Sequence, residues 1–352
     1  MSFLRDVWER VFRQLRWRDA VEHRGTRAWA PAEGDSVQGG TPAWLPPAVA
    51  LALPLEPREE EAVVELNELL AATTDEHLTA LPAFPSLASR TLALAWQQDV
   101  DVAQLVREIS RDPALAAAIL RMANTAHVAR GGPVRGLRDA VMLLGLKTCV
   151  TIIAGLSARA LFNAEVRDLH RQHAQVWSHL WEHALTTALA AGQVAMTRRE
   201  GALDIAFLGG LLHDIGKALG LRALHHLMLR GKLGQVPTTP VVYRVLEDCH
   251  ESLGQRAVAL WQLPPSVAEV CATHHEPVTL EEPAATALHV LRLVSSLHEL
   301  THNPYRRADT EQEIFTSARA LGLNEHGVRA AHAETRAAEE KTRLLLAANT
   351  TR

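Results

Sequence analysis

Apolar residues recur along this chain at helical spacing, beginning at its first turn. Phe3, Leu4, Val7, Trp8, Val11, Phe12 and Leu15 keep an i, i+3, i+4, i+7 rhythm, which predicts an amphipathic helix within residues 1–24. Arg5, Arg10, Arg13 and Arg16 lie off the stripe. Such a stripe packs on its own domain or a dimer partner, or else docks on a partner protein or a membrane surface.

Between residues 25 and 57 the pattern changes. Six prolines (Pro31, Pro42, Pro46, Pro47, Pro54, Pro57) with Gly34, Gly39 and Gly40 cannot continue a helix, so this segment reads as a linker. Helical signals then dominate. Residues 62–70 are amphipathic, and Asp112 beside Pro113 places an N-cap before a helix over 114–122. Further helices are predicted at 139–144, stopped by Gly145, and at 184–195, 202–212, 241–250 and 266–274. No run keeps a period-2 alternation of β-branched and aromatic residues, and aromatic residues make only 5% of the chain. The expected fold is therefore all-α, a multi-helix bundle. Residues 307–352 form a charged, Ala-rich tail, expected as two surface helices broken near Gly322.

Composition narrows the function classes. At 352 residues the chain is long enough for a sizeable core, and its formal charge of −4 excludes the broad basic face of a dedicated nucleic-acid binder. Cys149, Cys249 and Cys271 are odd in number and widely spaced, which argues against a disulfide framework. No run approaches about 20 apolar residues, so no transmembrane segment is expected. Residues 1–18 are charged throughout, unlike a secretory signal, and the cytoplasm is the default location.

Histidine is the unusual residue. Thirteen of the 18 lie between His170 and His302, and imidazole is the commonest metal ligand. The strongest local signal is Gly210-Leu-Leu-His213-Asp214-Ile-Gly216-Lys217, at the end of an apolar helix. Neighbouring side chains on a helix diverge by about 100°. The imidazole and carboxylate can thus approach a metal from two sides, and the two carboxylate oxygens can bridge two ions. Gly216 is expected to let the chain turn out of the helix. His183 lies 30 residues upstream, and His250, His274 and His275 follow, so five histidines and one aspartate can converge inside a bundle.

This arrangement resembles the HD superfamily, whose ligand pattern is H…HD…D, and within it the HDOD (HD-related output domain) family. Leu81-Pro82 with Phe84-Pro85 looks like the family's opening. Asp112-Pro113-Ala-Leu and Ala123-Asn124-Thr-Ala126 resemble its D-P-x-L…A-N-S-A stretch, and Ala140-Val-Met-Leu-Leu-Gly145 its A-x-x-x-L-G segment. Trp181-Glu-His183, Leu211-Leu-His213-Asp214-Ile-Gly216-Lys217, His250-Glu-Ser-Leu-Gly254, Trp261-Gln-Leu-Pro264 and His274-His275 follow in family order. The resemblance covers about residues 75–305 and implies an HDOD domain over 58–306, with an HD-like subdomain at about 170–306.

Two departures bear on activity. The final aspartate of H…HD…D is replaced by serine, Ser295 in the alignment, so the resemblance leaves a first site of His183, His213 and Asp214 one ligand short. A hydroxyl binds a dication far less well than a carboxylate oxygen. The second set, Asp214, His250, His274 and His275, is complete. The Gly-Tyr-Pro loop of the cyclic-dinucleotide hydrolases is absent, since Glu276-Pro277 follows His275. A two-metal hydrolase uses one ion to activate water and another to steady the leaving oxygen. The resemblance therefore implies a non-catalytic bacterial signalling module with a protein partner or nucleotide ligand. The alternatives are a metal-dependent phosphohydrolase acting on a nucleotide or cyclic dinucleotide, or a sensor that binds without turnover. The cofactor implied is a divalent ion (iron, manganese, zinc or nickel), one rather than two, or a packed His–Asp pair with none.

The remaining residues carry less. Lys217 is the candidate phosphate contact, or else a solvated helix-end lysine. Cys271, three residues before His274, fits a ligand pair or an apolar core cysteine, and Cys249 beside His250 is treated alike. His170, His173, His225 and His226 are expected at the surface. Asn124 and Trp261 are expected to specify packing and capping.

Overall fold

The computed structural model describes residues 45–52, 54–79, 102–112, 134–145, 173–196, 202–261, 263–277 and 279–350, with a few single positions between them. The predicted N-terminal helix, His170 and most of the predicted linker lie outside the described residues; of the predicted 114–122 helix, residues 115–117, 119 and 120 are described and helical. Among the described residues there are eleven helices and no strand, in line with the all-α expectation. None is long and apolar enough to cross a membrane. Two compact units divide the chain: described residues from 102 to 153 belong to the first, and those at 45–79, 173–260 and 265–350 to the second.

The second unit contains α1 (Pro57–Thr79). The first contains α2 (Val102–Ile109) and α3 (Leu137–Leu144), whose Leu105, Ile109, Ala140, Val141 and Leu144 are buried. The N-cap at Asp112 is present, its Oδ1 accepting from the Leu115 amide at 3.1 Å. Asn124 ties two segments together. Its amide donates to the carbonyls of Leu120 and Val134, both at 2.9 Å, and its Oδ1 accepts from the Val134 amide.

The rest of the second unit is α4 (Ala174–Met196), α5 (Ala202–Leu212), α6 (Ile215–Leu229), α7 (Thr239–Leu260), α8 (Pro265–Ala272), α9 (Ala284–His302), α10 (Thr310–Ala320) and α11 (Glu325–Thr350). Apart from Asp204 in its first turn, helix α5 is apolar on every side, which requires burial all round. It packs on α4, α8 and α9 at the centre of the unit, with Leu208, Leu211 and Leu212 fully enclosed. The sequence pattern placed α5 at its observed bounds but shortened α4 and α7.

Three expectations are corrected here. His213 and Asp214 do not sit on a helix; they form the two-residue corner between α5 and α6. Gly216 does not release the chain from a helix, because it lies inside α6. A Cβ at Gly216 would stand 1.9 Å from the His250 carbonyl oxygen, so glycine there permits the backbones of α6 and α7 to meet. The C-terminal tail does contain two helices broken at Gly322, which has φ +63. They are not mere surface helices, since Ile314, Ser317, Thr335 and Thr342 are buried and the Thr186 hydroxyl donates to Thr342 across α4 and α11.

The end of the predicted linker is also held. The amides of Val49 and Ala52 donate to the carbonyls of Leu300 and Pro304 at the C-terminal end of α9. His173 and His225, expected at the surface, are 3% exposed and stack with ring centroids 5.4 Å apart; His226 is half-buried.

Because the Gly216 contact is backbone against backbone, Gly216→Ala forces α6 and α7 apart. The expected loss is about 3 kcal/mol of stability, read from the urea unfolding midpoint against wild type.

Candidate metal centre

The His213–Asp214 corner delivers two side chains to the middle of the second unit, both nearly inaccessible at 2% and 3% exposure. Around it, α4 supplies His183, α7 supplies His250, the turn after α8 supplies His274 and His275, and α9 supplies Ser295. Two clusters result: His183, His213 and Asp214 in one, and His250, His274 and His275 in the other. The Asp214 carboxylate stands between them. Its Oδ2 lies 3.6 Å from Nε2 of both His183 and His213, and its Oδ1 lies 3.7 Å from Nε2 of both His250 and His274. These separations exceed hydrogen bonds. Two donors each about 2.1 Å from one ion lie about 3.4 Å apart at a tetrahedral angle, close to the spacing observed.

The hydrogen bonds fix which nitrogens are bare. Nδ1 of His213, His250 and His274 lies 3.0, 2.7 and 2.8 Å from the carbonyls of Gly210, Glu247 and Cys271, each three residues earlier. A carbonyl only accepts, so each Nδ1 carries the proton and each Nε2 presents a lone pair. In the second cluster, Nε2 of His250 and Nε2 of His274 are 3.3 Å apart and face Asp214 Oδ1, which is buried without a hydrogen-bond partner among the described residues. Three acceptors converging without a donor fit a bound cation.

The first cluster differs. Ser295 Oγ lies 3.2 Å from His183 Nε2 and 3.3 Å from His213 Nε2, so its hydroxyl proton can serve one of the two lone pairs. Asp214 Oδ2 accepts from Lys217 Nζ at 3.0 Å. His183 Nδ1 pairs with His298 Nδ1 at 2.9 Å, and Glu299 Oε1 is 3.5 Å away.

Burial governs the charges. It lowers the imidazole pKa of His213 and His250 to about 4 and holds His183 and His275 well below the ordinary range, so these rings are neutral at pH 7. Burial opposes ionisation of Asp214, but Lys217 and the surrounding imidazoles outweigh it and keep the carboxyl well below its usual value. Lys217 is not the solvated helix-end residue of one sequence expectation. It is 9% exposed and paired at 3.0 Å with both Asp214 and Glu247, which hold it charged against the effect of burial. Burial raises the Glu299 carboxyl to about 7. Cys271 is a core thiol pushed up to about 12 by burial and stands outside both clusters.

Sequence reasoning missed Glu247, His298 and Glu299. Each was within reach of helical spacing: Glu247 is three residues before His250, and His298 and Glu299 are three and four after Ser295. The opening over the site, lined by Lys217, Glu247, Ser295, Glu299, Arg307 and Glu313 among others, encloses about 20 Å³, room for one or two waters.

A helical bundle with a central His-Asp corner and two flanking imidazole clusters defines an HD-type protein. The HDOD domain family matches residues 81–277, more than half of the chain, and the chain belongs to that family. Solved structures share the fold. A candidate metal-dependent phosphohydrolase from Shewanella amazonensis SB2B matches at 19% identity over 81% of this chain and 100% of that one, with a TM-score of 0.58. An HDOD domain protein with unknown function from Geobacter sulfurreducens matches at 20% identity over 80% and 98%, TM-score 0.52. A candidate signal transduction protein from Marinobacter aquaeolei VT8 matches at 21% identity over 80% and 65%, TM-score 0.57. At these identities the likeness carries the fold alone. An uncharacterized protein of Treponema pallidum is 23% identical over 284 residues, 75% of this chain and 53% of the relative. The chain thus spans about half the length of the curated relative it matches. Family membership supports a regulatory or HD-type function.

Removing the Lys217 charge strands Asp214 and Glu247. Lys217→Met is expected to destabilise the metal-free protein by about 3 kcal/mol, measured by urea denaturation in the presence of a chelator.

Proposed function

We propose that this chain is a non-catalytic regulatory HDOD module that acts through a signalling protein partner or a bound ligand, and that it keeps one divalent ion. His250, His274, His275 and Asp214 Oδ1 would hold it, and its charge would answer three acceptors that otherwise face each other in the core. Imidazole nitrogen with one carboxylate suits iron, manganese, zinc or nickel.

The observation that carries this reading is Ser295, with Oγ 3.2 and 3.3 Å from the two imidazoles of the first cluster. A neutral hydroxyl in that place can donate its one proton to one of the two imidazoles and brings no negative charge to hold a second ion. Two-metal hydrolysis needs both ions. Lys217, the candidate phosphate contact, is neutralised by two carboxylates.

Metal analysis of the purified protein tests the reading. About one ion per chain is expected, with loss of that ion in His274→Ala and gain of a second in Ser295→Asp. Cyclic dinucleotides and generic phosphodiesters should not turn over with iron, manganese, zinc or nickel supplied. Two ions per wild-type chain with turnover would instead establish a metal-dependent phosphohydrolase, and no ion at all would reduce the constellation to packing.

A further inference from the structure

Of the histidines in the two clusters, three share one local device: Nδ1 donates to the carbonyl three residues back. His275 does not. Its Nδ1 is buried and has no hydrogen-bond partner among the described residues. What faces that nitrogen is Glu313 Oε1, 3.6 Å away, from the tail helix α10 and beyond the 81–277 family match. The Glu313 carboxylate is already aimed. Its Oε2 accepts from the Ser296 hydroxyl at 2.8 Å, and the Arg292 guanidinium stands 3.8 Å from Oε1. Arg292 in turn donates to the carbonyls of Thr273, His274 and Glu276, clamping the turn that carries the paired histidines.

We propose that Glu313 is the positioning carboxylate of His275, and that through this contact ion binding at the second cluster is coupled to the docking of α10. The inference rests on the one-ion reading above. A ligating imidazole donates its second N–H to a fixed acceptor, which sets the tautomer and makes the other nitrogen a better ligand. At 3.6 Å the His275–Glu313 contact is too long for a hydrogen bond. With an ion on Nε2, the Nδ1 proton becomes more acidic and draws the carboxylate in, and α10 with it. Linkage makes the effect reciprocal: whatever holds α10 down strengthens ion binding by the same factor. The tail is thereby the element through which the site's occupancy is communicated.

Co²⁺ titration of the full chain, followed by visible absorption and by hydrogen exchange of residues 310–320, tests the proposal. Wild type should bind Co²⁺ and slow exchange in α10 on binding. Glu313→Ala should bind about tenfold to a hundredfold more weakly and lose the exchange response. Glu313→Gln keeps an acceptor without the charge and should fall between. If Glu313→Ala does not fold, judged by its metal-free melting temperature, Glu313→Gln carries the comparison alone. Wild-type Co²⁺ affinity in the Glu313 variants, or exchange in α10 that ignores Co²⁺, overturns the coupling. If wild type binds Co²⁺ and His274→Ala does not, the one-ion reading survives that failure. No Co²⁺ binding by wild type sinks both.

Discussion

The second unit is organised around one buried carboxylate. Asp214 is 3% exposed, and removing a carboxylate from water costs several kcal/mol unless charge and hydrogen bonds are returned to it. Lys217, one turn along α6, returns the charge to Oδ2 and is itself held by Glu247 from α7. That network requires α6 and α7 to lie in contact, which Gly216 against the His250 carbonyl permits. It also fixes the α5–α6 corner from which His213 projects. Histidines from α4, α7 and the turn after α8 then meet around the carboxylate, so the core packing and the candidate site are one construction.

The two oxygens of that carboxylate are not equivalent, and the asymmetry decides how the clusters differ. Oδ2 has Lys217, and the imidazoles beside it share the Ser295 hydroxyl. Oδ1 has no hydrogen-bond partner among the described residues and faces two imidazole lone pairs. The half of the arrangement beside Ser295 and Lys217 is thus hydrogen-bonded. The other half keeps the chemistry of a cation site, which is why the proposed ion belongs with His250, His274 and His275.

What the sequence revealed follows from what is local. The all-α class, the α5 helix, the Asp112 cap and the break at Gly322 each depend on a short stretch of pattern or on one residue's conformational preference. The family order of motifs pointed to His183, His213, Asp214, His250, His274, His275 and Ser295, and the structure brings all seven together. What was missed depends on contacts between distant elements. Glu313 reaches His275 from 38 residues away, and nothing in its own stretch of Ala-rich, charged tail marks it. His173 and His225 carry no local sign of burial because they pair with each other across 52 residues. Gly216 resembles a turn residue in the sequence, since a steric requirement from another helix leaves no trace around it.

The opening above the site adds a further constraint on what can enter. Asp214, Glu247, Glu299 and Glu313 line it against Lys217 and Arg307. Lys217 is held by two carboxylates, and the Arg307 guanidinium is hydrogen-bonded at 3.0 and 2.9 Å to Asp309. The imidazoles of His183, His213 and His250 beneath contribute no charge, because burial keeps them neutral. An entering phosphate would have to take Lys217 from Glu247 or Asp214 and leave a buried carboxylate without its partner, at a cost of several kcal/mol. A cation meets the reverse situation, with each carboxylate it approaches lowering its energy. The same carboxylates that hold Lys217 away from an entering phosphate therefore favour a metal ion.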